Sequence, residues 1–135
     1  MICKNMKEKI RKIIGEALKN MDIEISSIDI VIEIPKDSSN GDYSSNIALR
    51  LAPILHKKPL DIANKIAENI KDVDFSKVEA VNPGFINFYL STTYLLKELE
   101  RITNTSQEYF KFPSKQGEKL AIEYTDANPF KILHM

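Results

Sequence analysis

The sequence predicts an α+β fold: a two-layer domain with an antiparallel four-stranded sheet and helices packed on one face, in the order α-β-β-α-α-β-β-α. Three observations predict it. Four stretches repeat apolar residues at helical spacing. Four shorter stretches are alternating or β-branched, as strands are. The strands come in two pairs, each joined by a short turn rich in Gly, Asn or Pro, and short turns favour antiparallel neighbours.

The first helix is expected from about Lys4 to Asn20. Met6, Ile10, Ile13, Ile14, Ala17, Leu18 and Met21 fall on one face and charged residues fill the other. Ile28 to Ile34 alternates strictly and is the strongest strand signal in the chain; Pro35 ends it. Lys36 to Asp42 is turn-rich, with a hairpin signal at Asn40-Gly41, and Tyr43 opens a short returning strand. Ser44, Ser45 or Asn46 then caps a helix running from Ile47 to Leu55, which Pro53 kinks or ends. His56-Lys57-Lys58 is a short basic link, and His56, with no Cys, Asp or Ser at a telling spacing, reads as an exposed link residue. Pro59 suits the first position of a third helix, with Leu60, Ala63, Ile66, Ala67 and Ile70 as its apolar stripe. Phe75 to Val81 is the third strand. Pro83-Gly84 fits the centre of a type II turn into a fourth strand ending near Leu90. Ser91 or Thr92 caps a last helix with Leu95, Leu96, Leu99 and Ile102 turned inward. The pattern then stops. Residues 104–117 read as a linker, and Lys119 to Thr125 as a new apolar strand.

Bulk properties narrow the function. The chain has 135 residues, 43% of them hydrophobic and 28% charged, the balance of an ordinary soluble globular protein. Its 19 basic and 19 acidic side chains cancel. No global field therefore gathers nucleic acid, and any RNA contact must be local and shape-directed. The single cysteine, Cys3, has no partner for an internal disulfide, which fits a reducing compartment. No Cys/His cluster has zinc-ligand spacing, so no metal site is expected. No signal peptide or membrane span is expected either.

The turn-and-strand Asn82-Pro83-Gly84-Phe85-Ile86-Asn87-Phe88-Tyr89-Leu90 is the most distinctive stretch. Ile86, Phe88 and Leu90 form a core face; Phe85, Asn87 and Tyr89 point the other way. Two readings fit the second face. It is a hairpin with a half-covered ring, or it is a platform for an unpaired nucleotide base, which needs a ring to stack on and amides to read its edge.

The tail decides which relatives to consider. Glu123-Tyr124-Thr125-Asp126-Ala127-Asn128-Pro129-Phe130-Lys131-Ile132-Leu133-His134-Met135 closely resembles the start of the catalytic domain of arginyl-tRNA synthetases, class I enzymes in which a His-x-Gly-His signature follows an Asn-Pro. Upstream, Gly41-Asp42-Tyr43-Ser44-Ser45-Asn46-Ile47-Ala48, the helix opened by Pro59, and Asn82 to Phe88 resemble that family's N-terminal additional domain in order and spacing. The resemblance covers nearly the whole chain. It implies residues 1–103 as a tRNA-binding additional domain, 104–117 as linker, and 118–135 as the truncated start of the Rossmann-like catalytic domain.

By the same resemblance, the parent enzyme attaches arginine to tRNA-Arg using ATP, with Mg2+, through an arginyl-adenylate. His134 is implied as the catalytic residue that contacts ATP phosphate and steadies developing charge. Lys131 is implied beside the phosphates, and Glu123 and Asn128 around the substrate arginine. Asn82, Phe85 and Asn87 are implied as the residues that take a D-loop nucleotide at the tRNA elbow. Asn87 stands where some relatives carry Gln, which leaves the base identity open. The implied location is the cytoplasm. The 135 residues alone are expected to lack ligase activity. The alternative is a freestanding RNA-binding module with no ligase role.

Overall fold

A computed structural model describes residues 2–23, 28–105 and 119. Among the described residues eight α-helices and β-strands follow in the expected order: α1 (Ile2–Asn20), β1 (Ile32–Glu33), β2 (Tyr43–Ser45), α2 (Ile47–Leu55), α3 (Pro59–Asn69), β3 (Phe75–Val81), β4 (Phe85–Leu90) and α4 (Thr92–Thr105). The four strands form one antiparallel sheet in the order β1-β2-β4-β3.

One sheet face makes the core. Ile32, Tyr43, Ile86 and Phe88 are buried there with Met6, Ile10, Ile14 and Leu18 of α1, Ile47, Ala48 and Leu51 of α2, and Ile62, Ala63 and Ile66 of α3. Phe88 is fully buried, and its ring lies 5.3 Å from that of Phe75 at a 59° tilt. The helical periodicity of α1 is realised as expected. In α3, Ile62 joins the core although the expected stripe omitted it, while Leu60 is only half-buried. Pro59 occupies the start of α3, as anticipated.

Four expectations need correction. The strand expected over Ile28 to Ile34 pairs only at Ile32–Glu33. Side chains take the preceding carbonyls: Arg50 donates to Asp29 O at 2.6 Å, Arg11 Nε to Ile30 O at 3.0 Å, and Ser45 Oγ to Val31 O at 2.9 Å. The segment is held by side chains where a longer ladder was expected, and Ile34 ends up exposed.

The β3–β4 turn is not type II. Its bend centres on a cis Asn82-Pro83 bond, closed by Gly84 N–H donating to Val81 O at 2.9 Å.

The serines proposed as helix caps, Ser44 and Ser45, belong to β2. Asn46 flanks α2 without capping it, and its buried Oδ1 has no hydrogen-bond partner among the described residues. α2 runs two residues past Pro53 and stops at His56, which is exposed and takes a left-handed φ of 51°.

Finally, Leu95, Leu96 and Leu99 of α4 are more than half exposed, and α4 contributes no buried residue. Its stripe is amphipathic, but the core cluster does not extend to it; Tyr94 alone packs against that cluster from this helix. Ser91 caps it as expected, accepting from Tyr94 N–H at 3.1 Å. No described helix is long and apolar enough to cross a membrane.

An ionic clasp ties α1 to the segment entering β3. Lys9 Nζ donates to Asp72 at 3.0 Å and to Asp74. Burial by itself would raise the Asp72 carboxyl, but the Asp74 N–H and the Lys9 ammonium outweigh it and hold it below its ordinary value of 3.8. A depressed native pKa stabilises the fold above the unfolded value, and that contribution disappears as pH falls through the native value. Urea unfolding is therefore expected to show stability falling as pH drops below about 4, and Asp72→Asn should flatten that dependence.

A candidate nucleotide-binding cleft on the open sheet face

The opposite sheet face is polar and is not part of the buried core. Strand register builds it row by row. Glu33 pairs with Ser44, Ser44 with Asn87, and Asn87 with Glu79, so these four side chains cross the sheet in one line. The neighbouring rows hold Val81 beside Phe85 and Lys77 beside Tyr89.

A hydrogen-bonded chain fixes much of this face. Ser44 Oγ donates to Asn87 Oδ1 at 2.8 Å. Tyr89 Oη lies 2.7 Å from Glu79 Oε1 and 2.9 Å from Ser39 O, and shares its proton between them. Lys77 pairs with Glu79 and sits 5.2 Å from the Tyr89 ring centroid. Hydrogen bonds from Lys77 and then Tyr89 lower the Glu79 carboxyl, and the Glu79 carboxylate in turn raises the Tyr89 hydroxyl. Lys77 and Glu79 therefore neutralise one another beside the tyrosine.

The bond to Ser39 draws a short 3-10 turn, Ser38–Asn40, over the edge of the open face. Asp37 Oδ1 caps that turn by accepting from Ser39 N–H at 2.9 Å. Gly41 closes it at φ 86°, and a Cβ there would fall 2.7 Å from Phe88 O, so the glycine lets this turn lie close against β4.

Between this turn and the β3–β4 turn lies an open cleft of about 320 Å³. One side is Glu33, Pro35, Asn40 and Ser44; the other is Val81, Asn82, Phe85 and Asn87. The three residues proposed for a nucleotide thus converge on one surface. Phe85 is 37% exposed, far more than a core ring. Asn82 is exposed. Asn87 is only 3% exposed; its carbonyl oxygen accepts from Ser44, and its side chain also hydrogen-bonds the Tyr89 hydroxyl, so it is held in place at the floor of the cleft. The geometry suits a flat ring stacked on Phe85 with its polar edge toward amides.

Glu33, Asn40 and Ser44 were missed from the sequence. Alternation puts Ser44 on this face, but only strand register brings it to Asn87, and only the folding-over of the 3-10 turn brings Asn40 to Asn82. Glu123, Asn128, Lys131 and His134, proposed for arginine and ATP, lie outside the described residues, as do most of the linker and the final strand.

A larger cleft, of about 760 Å³, runs between the end of α1, α2 and α3. It contains none of the proposed site residues. Its rim mixes Asp22, Asp61 and Glu68 with Lys57 and Lys65, and no single ligand chemistry emerges from that set. The smaller cleft is the better site because its ring, amides and register-aligned polar row converge.

Comparison with known proteins gives matches over most of the chain. Residues 8–90 match the family model described as the arginyl tRNA synthetase N terminal domain. The chain is 36% identical over 132 residues to an arginine–tRNA ligase of Geobacillus thermodenitrificans, covering 96% of this chain and 23% of that protein. It is 34% identical over 137 residues to the arginine–tRNA ligase of Acetivibrio thermocellus, covering 99% and 24%. The chain therefore spans about a quarter of the length of these curated relatives. Among solved structures it resembles Thermus thermophilus arginyl-tRNA synthetase, with a TM-score of 0.58 and 26% identity over 67% of this chain and 15% of that one. The Plasmodium falciparum arginyl-tRNA synthetase shares the fold at a TM-score of 0.61 and 20% identity, over 72% of this chain and 18% of that one.

Proposed function

The chain belongs to the arginyl-tRNA synthetase N-terminal domain family, and from that premise we propose that it is the tRNA-elbow-reading part of an arginine–tRNA ligase. One D-loop base leaves its stack, lies on Phe85, and is read along its edge by Asn82 and Asn87. The observation that carries this is a ring 37% exposed in a cleft whose polar lining is three amides, a hydroxyl and a carboxylate, with Pro35 and Val81 completing its walls. An unpaired base is a flat apolar surface with a polar rim, and that lining matches it. A duplex would find no groove-reading helix here and no broad basic surface.

The same reading assigns the rest of the ligase. The whole enzyme joins arginine to tRNA-Arg in the cytoplasm with ATP and Mg2+ through an arginyl-adenylate. Glu123 and Asn128 hold the arginine, and Lys131 and His134 meet the ATP phosphates, His134 as the catalytic residue. ATP supplies the adenylyl group that activates the arginine carboxyl, with pyrophosphate leaving; these side chains bind and orient. Residues 1–103 form the tRNA-binding unit, 104–117 the linker, and 118–135 the truncated start of the catalytic domain.

The test is binding of a tRNA-Arg transcript to the 135-residue chain at low salt, with and without single D-loop nucleotides deleted. Deletion of the nucleotide that is read is expected to weaken binding by about 1–3 kcal/mol, the value of one base–aromatic stack. Equal binding of every deletion would refute elbow reading at this cleft.

A further inference from the structure

We propose that the cleft is electrostatically framed so that a base enters while its phosphates stay outside: Glu33 bars phosphate from the interior, and Lys36 and Lys58, on opposite rims, take the phosphates flanking the inserted nucleotide. The inference rests on the base-reading function above and adds three residues to it.

The cleft itself contains one charged side chain, Glu33, and no cation. That is an unusual lining for a site facing a polyanion. The Glu33 carboxylate forms no ion pair among the described residues, unlike Glu79, which Lys77 neutralises in the same cross-strand row. An uncompensated carboxylate repels phosphate and accepts from an N–H. A nucleotide can therefore enter base-first only, with its backbone held at the rim.

Both rims carry a lysine. On the β1 side, Lys36 is exposed and follows Pro35, a wall of the cleft. It also precedes Asp37, whose side chain caps the 3-10 turn, so the backbone on both sides of Lys36 is anchored. On the turn side, Lys58 is exposed and immediately precedes Pro59. Pro59 abuts the β3–β4 turn closely: a Cβ on Gly84, which has a φ of 153°, would fall 2.6 Å from Pro59 Cβ. The start of α3 is thereby held against the turn that carries Asn82. Neither Lys36 nor Lys58 forms an ion pair among the described residues, whereas Lys9, Lys12 and Lys77 are engaged.

Net neutrality of the chain gives these two positions weight. With 19 charges of each sign, phosphate contact must come from local unpaired cations beside the site. Phosphate contacts fix register while base contacts carry sequence information, so the two sets of residues must give different signatures.

The experiment is equilibrium binding of the tRNA-Arg transcript and its D-loop deletion to the 135-residue chain across a salt series. Lys36→Ala and Lys58→Ala are each expected to reduce the slope of log K against log salt by about one, with the penalty for the deleted nucleotide unchanged. Lys12→Ala, on α1 and already paired with Glu16, should leave the slope unchanged. Glu33→Gln should tighten binding of the deleted RNA more than the intact one, shrinking the ratio between them. Wild-type slopes in both rim-lysine variants would overturn the proposal, as would an equal loss in Lys12→Ala or an unchanged ratio in Glu33→Gln. If the slopes fall but wild type does not discriminate the deletion, base reading fails instead, and the rims are a plain phosphate-binding edge.

Discussion

Phe88→Ala is expected to cost about 3–5 kcal/mol of folding stability, a large fraction of what a domain of this size has. Phe88 is fully buried at the centre of the sheet, between the β2 and β3 neighbours of β4. Its ring packs on Phe75, and its backbone carbonyl accepts from Asp42 N–H at 2.9 Å. Truncation removes the ring and leaves a cavity that α2 and α3 can fill only by leaving their own contacts. Thermal unfolding should show Tm falling by more than about 10 °C. Phe88→Leu, which keeps most of the volume, should cost well under half as much. A near-neutral Phe88→Ala would mean that the core is not centred on this face of β4.

Phe85→Ala should behave in the opposite way, although it lies three residues away on the same strand. With 37% of its surface exposed, the ring contributes less to the core, and its loss should cost no more than about 2 kcal/mol of stability. Binding of tRNA-Arg should weaken by about 1–3 kcal/mol, because the stacking surface is gone while the hydrogen-bonded row behind it is intact. Phe85→Tyr, which keeps a π face, should retain most of the binding. Measuring unfolding and RNA affinity on the same preparations separates a structural ring from a binding one. A large stability loss with unchanged binding would assign Phe85 to packing alone and remove the platform on which the elbow-reading proposal stands.

The two phenylalanines show which parts of the molecule were legible in one dimension. Period-two alternation separated Phe88 from Phe85, and period-3.6 spacing placed the inward face of α1, because both depend only on how side chains leave a regular backbone. Turn chemistry located the 3-10 turn and the β3–β4 turn but not their geometry: the bend falls on the Asn82-Pro83 bond, where Pro-Gly spacing suggested the next pair. β1 was overestimated because alternation cannot reveal that Arg11, Ser45 and Arg50 occupy the carbonyls that a longer ladder would use. The α4 stripe was assigned inward for the same kind of reason. Amphipathicity reports that a face can be buried, but not what lies opposite it.

By itself, then, the sequence determined the α+β class, the order of elements, and the resemblance that singled out Asn82, Phe85 and Asn87. All of these are carried by local patterns or by short motifs in order. The tertiary structure decided what those three residues share a surface with. Glu33, Ser44 and Asn87 are 11 and 43 positions apart along the chain and meet through the strand pairing β1-β2-β4. Asn40 reaches the cleft because the Tyr89 hydroxyl draws the 3-10 turn over the sheet, and the start of α3 meets the β3–β4 turn because Pro59 packs against Gly84. Register and packing are properties of chain segments brought together from a distance, and no spacing along one segment encodes them.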